Sequence, residues 1–144
     1  MTAQEIENRI RLLQSRIEGI QDENYKLNTD IHDLEAGIDD ASSMSRQWEN
    51  KLSECYGVVS RKLENLSHHS TFRAAYLERI EMILSSREAV EISECLTSMQ
   101  TNAVKKISDI EEDIRANQVR ILNYEQEIDN LRRELTTMME MSPG

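Results

Sequence analysis

Residues 6–41 read IENRIRLLQSRIEGIQDENYKLNTDIHDLEAGIDDA, and the seam side chains in that stretch recur at steps of four and three: Ile6, Ile10, Leu13, Ile17, Ile20, Asn24, Leu27, Ile31, Leu34, Ile38 and Ala41. Five heptads with one polar interruption exceed the three or four that identify a coiled coil. Residues 103–138 repeat the pattern with Ala103, Ile107, Ile110, Ile114, Asn117, Ile121, Tyr124, Ile128, Leu131, Leu135 and Met138. This second seam also carries one Asn.

A buried Asn wants a polar partner and is costly against Ile. In an antiparallel pair, facing residues share a constant index sum, and Asn24 with Asn117 gives 141. That sum sets Ile6 against Leu135, Ile10 against Leu131, Leu13 against Ile128, Ile17 against Tyr124 and Ile31 against Ile110. Half of it falls at about residue 70, inside Ser67-His68-His69-Ser70-Thr71, the polar stretch that interrupts the apolar spacing. The alternative is a parallel association in which each Asn meets its own symmetry mate.

The pattern predicts an all-α fold, a long antiparallel coiled-coil helical hairpin that forms part of a larger helical bundle. One domain covers residues 1–141, with arm one over 3–66, the apex at 67–71 and arm two over 72–140, and residues 141–144 are a disordered tail. At 1.5 Å per residue, arms of about 65 residues would run of the order of 100 Å. Ser70 or Thr71 is the candidate cap of a helix starting at Phe72. Toward the apex the spacing weakens. In arm one it passes through Ser45, Trp48, Leu52, Cys55 and Val59 and slips to Leu63 and Leu66; in arm two it passes through Phe72, Tyr76, Ile80, Ile83, Val90, Leu96 and Met99. The same register sets Trp48 against Ser93 and Leu52 against Ala89.

Composition supports this architecture by exclusion. Only 38% of the 144 residues are hydrophobic, and four Gly with one Pro supply too few turns for a sandwich, barrel or doubly wound sheet. A formal net charge of -10 repels a phosphate backbone, so nucleic acid is not an expected partner. No apolar run reaches 18 residues, so membrane insertion is not expected either. Glu5, Glu7, Arg9 and Arg11 occupy the place of a signal peptide's apolar stretch, and the expected location is cytoplasmic. Cys55 and Cys95 read as partly buried free thiols. Their index sum of 150 lies nine off register, roughly 14 Å along the helices, beyond disulfide reach.

No nucleotide loop, nucleophile elbow, zincin helix or calcium loop is present. His68-His69 is the one place to consider a metal, but adjacent helical residues diverge by about 100° and no third ligand lies near in sequence. Acidic pairs such as Asp39-Asp40 and Glu111-Glu112 read as solvated helix faces. The expectation is a non-enzyme without metal or cofactor. Trp48, Phe72, Tyr76 and Tyr124 fit the seam, and Tyr25 and Tyr56 fall beside it. A two-helix coil cannot fully cover large aromatics, which makes Trp48, Phe72, Tyr76, Tyr25 and Tyr56 the candidate partner-interface residues and Asn24 with Asn117 the register-setting pair. Ile at both seam positions favours bundles of more than two helices, so a further layer is expected from a protein partner or from a second copy.

The Ile and Leu heptads from Ile6, the polar and small-residue middle at Ala41 to Ser45, the cluster Phe72-Arg73-Ala74-Ala75-Tyr76 and the closing run Ile107 to Leu135 together resemble one family. It comprises the small α-helical proteins encoded beside LXG-type toxins of Gram-positive type VII secretion, including the YwqH-like proteins. The resemblance covers nearly the whole chain. It implies a helical hairpin that acts as adaptor or chaperone on the helical N-terminal targeting domain of a secreted toxin. Trp48 is followed by Glu49-Asn50 instead of the Trp-x-Gly turn of the wider superfamily, and no Tyr has Asp or Glu four residues on. Cytoplasmic action, or co-export with the partner, is what those departures leave. The alternative from another class is a homo-oligomeric coiled-coil tether or scaffold subunit.

Overall fold

The computed structural model describes residues 1–64 and 70–141, and no strand occurs among them. The helices are α1 (Ala3–Leu63), α2 (Ser70–Leu84) and α3 (Arg87–Met141). They form a helical hairpin in which α1 packs on α3. The chain divides into a terminal unit, Met1–Asp33 with Lys106–Gly144, and a central unit, Leu34–Lys105.

In the terminal unit α1 begins on a capping box. Glu5 N–H donates to Thr2 Oγ1 at 3.2 Å, and Thr2 N–H donates to Glu5 Oε2 at 3.2 Å. Two otherwise unpaired groups at the helix start thus satisfy each other. Ile6, Ile10, Leu13 and Ile17 then bury against Ile128 and Leu131, with Ile121, Tyr124, Leu135 and Met138 packed around them. Each such side chain contributes about 1.5–3 kcal/mol. Arg9 contacts Glu127 while Asn24 contacts Asn117, so numbering rises along α1 as it falls along α3 and the pair is antiparallel.

In the central unit the inward positions are Ile38, Ala41, Ser45, Trp48 and Leu52 of α1, and Ser86, Ala89, Ser93, Leu96, Gln100 and Ala103 of α3. Each of those five α1 positions has an inward α3 position at the index sum of 141: Trp48 with Ser93, Leu52 with Ala89, Ser45 with Leu96. The buried hydrophobics here are Ala41, Ala89 and Leu96, two of them alanines. Small inward residues leave little apolar area to bury.

Several expectations change in this unit. Arm two is two helices: the run is interrupted at Ser85-Ser86, where Ser86 N–H reaches back only to Ile83 O at 3.1 Å and Ser85 Oγ donates to Glu81 O at 2.6 Å. Ser86 caps α3, its Oγ accepting from Ala89 N–H at 3.4 Å. Two adjacent serines competing for backbone groups stop one helix and start the next. α2 begins at Ser70, so Ser70 and Thr71 are helical and do not cap a helix at Phe72. Positions 67–69 of the expected apex, His68-His69 included, and 142–144 of the expected tail lie outside the described residues, and Met141 is the last residue of α3. α1 runs to Leu63, with Arg61 and Lys62 in its last turn against the negative end of the helix dipole, and positions 65–66 of the expected arm one lie outside the described residues.

Candidate functional site

Asn117 Nδ2 donates to Asn24 Oδ1 at 2.9 Å, and Asn117 is 6% exposed. The carboxamide pair satisfies a donor and an acceptor that would each be costly against Ile. Arg120 reaches Asn117 Oδ1 at 3.5 Å. On the edge of this unit Arg9 meets Glu127 at 3.1 Å, and the Arg16 guanidinium lies 6.0 Å from the Tyr124 ring centre. The edges are therefore charged, and Tyr124 packs against the seam cluster.

The five candidate interface aromatics are dispersed. Trp48 faces inward, half-buried, and its buried Nε1–H has no hydrogen-bond partner among the described residues. Tyr56, read as lying beside the seam, faces inward, and its hydroxyl donates to Glu81 Oε1 at 3.2 Å. That hydrogen bond, with the Glu81 charge, holds the phenol above its ordinary value of 10.0. The step of four from Leu52 to Tyr56 turns Cys55 outward. Cys55 and Cys95 are both free and exposed, a correction to the partly buried reading. Tyr25 is 76% exposed and lies on the terminal unit.

Phe72 and Tyr76, expected in the seam, are exposed instead. Their rings pack on each other at 4.6 Å, tilted by 49°. In α2 the inward phase belongs to Arg73, Leu77, Ile80 and Leu84, which rotates Phe72, Tyr76 and Ile83 outward. Val90 and Met99 are displaced from the seam in the same way, because it runs through Ser86, Ala89, Ser93 and Leu96. In this part of α3 the apolar spacing marks the large side chains, whereas the helix turns Ser86, Ala89 and Ser93 inward.

In the central unit the outward apolar residues outside the seam spacing read from the sequence are Met44, Val58, Met82, Ile92 and Val104. A signal for Met44 and Ile92 was available: both immediately precede a seam position, as Arg9 and Glu127 do in the terminal unit. Shallow surface grooves lie beside Met44, Gln47, Trp48 and Lys51, and beside Ser70, Arg73, Ala74 and Leu77. No group of three or more His, Cys, Asp or Glu residues capable of holding a metal occurs among the described residues, and no described helix is long and apolar enough to cross a membrane. No family model, characterised protein or solved structure matches the chain.

Proposed function

We propose that this chain is a non-enzymatic helical binding protein, an adaptor or chaperone that lays the outer face of α2 against a helix of its partner. The observation that supports this reading is the state of α2 itself. Nine of its 15 residues are apolar, yet none is buried. Phe72, Tyr76 and Ile83 lie at i, i+4 and i+11 on one exposed face, with Arg79 at i+7; Phe72 and Tyr76 have the i, i+4 spacing of anchors that enter a helical groove. The Phe72 and Tyr76 rings, tilted against each other, present an apolar step, the kind of side chain that dominates interface energies.

The resemblance to LXG-associated proteins supplies the partner class: the long helical N-terminal domain of a type VII secreted toxin, met in the cytoplasm or carried out in company with it. By covering an apolar stripe on that domain, the chain would keep it soluble and complete a joint helical surface. Genomic context is the first check, since an LXG-type gene is expected directly beside this one. Co-expression with that gene's N-terminal domain is expected to yield a co-purifying complex, and the variant Phe72→Glu with Tyr76→Glu is expected to lose it. A domain that purifies without the chain, or binds wild type and variant equally, would refute the reading.

A further inference from the structure

A second surface, independent of α2, is symmetric about its own centre. Asp40, Met44, Gln47 and Lys51 form a continuous exposed stripe on α1 at i, i+4, i+7 and i+11. Its acid lies at the N-terminal end and its base at the C-terminal end. The midpoint of Asp40 and Lys51 falls between Ser45 and Arg46, and so does that of Met44 and Gln47. On α3, Ile92, Cys95 and Met99 form a matching stripe, with Ile92 42% and Met99 54% exposed. The midpoint of Ile92 and Met99 falls between Cys95 and Leu96.

These two centres lie at one level. The index sum of 141 followed by the inward residues of this unit pairs Ser45 with Leu96 and Arg46 with Cys95. The stripes also share an edge. Met44 and Lys51 on α1, and Ile92 and Met99 on α3, each precede a first seam position, and in an antiparallel pair those positions flank one side. Arg9 and Glu127 occupy the equivalent positions in the terminal unit. Apolar residues at that position beside the two seam positions widen the stripe from a two-helix seam to the face of a bundle.

We propose that two copies of the chain pack this edge of the central unit against itself, α1 on α1 and α3 on α3, antiparallel about a twofold axis. Asp40 of each copy then meets Lys51 of the other, Ile92 meets Met99, and the two Cys95 thiols approach at the axis. Met44 enters the groove of about 190 Å³ lined by Gln47, Trp48 and Lys51 of the opposite copy, where a flexible thioether suits an irregular site beside an indole. Charge favours the same occupant. The central unit has 11 acidic and 8 basic residues, whereas the terminal unit has 16 and 9, so most of the repulsive excess stays out of the contact. A patch about 16 Å long and two helices wide buries of the order of 1,000 Å² in total, the scale of a weak, reversible dimer.

The test is a charge swap followed by sedimentation velocity on the full chain. The wild type is expected to dimerise in the micromolar range. Asp40→Lys should weaken the dimer about tenfold through like-charge contact with Lys51, and Asp40→Lys with Lys51→Asp should restore it. Met44→Glu should abolish it, while Val104→Glu, on the other edge, should leave it unchanged. With Cys55→Ser, oxidation should crosslink the dimer through Cys95. All these side chains are exposed, so far-UV circular dichroism should not move. A wild type that is monomeric at 100 µM, a double swap that fails to rescue, or a dimer indifferent to Met44→Glu would overturn the proposal.

Discussion

The terminal and central units are built from the same heptad frame but spend their apolar residues differently. In the terminal unit Ile and Leu occupy the seam, and charged Arg9 and Glu127 flank it. In the central unit the buried positions are Ala41, Ala89 and Leu96, while Met44, Phe72, Tyr76, Ile83, Val90, Ile92, Met99 and Val104 face outward. The terminal unit buries the cluster of large side chains, although Leu12, Tyr25, Val119 and Leu122 are exposed there as well. The central unit offers surface, which is why both proposed interfaces lie there.

The largest expected effect of this contrast is in the cores. Leu13 is 0% exposed within a cluster of Ile and Leu, so Leu13→Ala should cost about 3–4 kcal/mol in urea unfolding. Leu96, 7% exposed and paired in the seam with the small Ser45, should cost about 2 kcal/mol on the same change. A larger loss at Leu96 would break the comparison. An intermediate effect is expected at the asparagine pair. Asn117→Ile alone leaves the Asn24 carboxamide without its partner and should cost about 2 kcal/mol, whereas Asn24→Ile with Asn117→Ile should recover most of that. A double-mutant cycle that shows no coupling would mean the register is held elsewhere. The smallest effect belongs to the helix junction. Ser86→Ala removes the cap of α3 and should cost about 1 kcal/mol, with faster amide exchange at Ala89 and Val90 while the Ile6–Leu131 core stays protected.

The terminal unit was legible from the sequence because its periodicity is carried by large residues. The Asn24 and Asn117 positions alone predicted the antiparallel register, and the Thr2-x-x-Glu5 capping box was equally readable. The central unit was not: α2 carries large residues on both sides, Leu77, Ile80 and Leu84 inward and Phe72, Tyr76 and Ile83 outward, and in α3 Val90 and Met99 show a second reason. When alanine and serine occupy the inward positions, the large side chains mark the outside, and reading phase from them rotates the helix. The Ser85-Ser86 junction carried a weak signal, serine three residues before Glu88, but the cap chosen is Ser86.

Heptad spacing and scarce Gly and Pro by themselves determined an all-helical coiled coil, and the two seam asparagines named its antiparallel register because a buried Asn is costly against Ile; the Asn24–Asn117 contact decides it against the parallel alternative. Only tertiary packing decided which side of α2 and of the first part of α3 faces inward. In α2 large apolar residues lie on both sides, and in the first part of α3 the inward residues are small, so local hydrophobicity does not distinguish the two sides. The choice falls to the continuous fit of Ser86, Ala89, Ser93 and Leu96 against α1, and this same choice exposes the residues through which the chain is proposed to act.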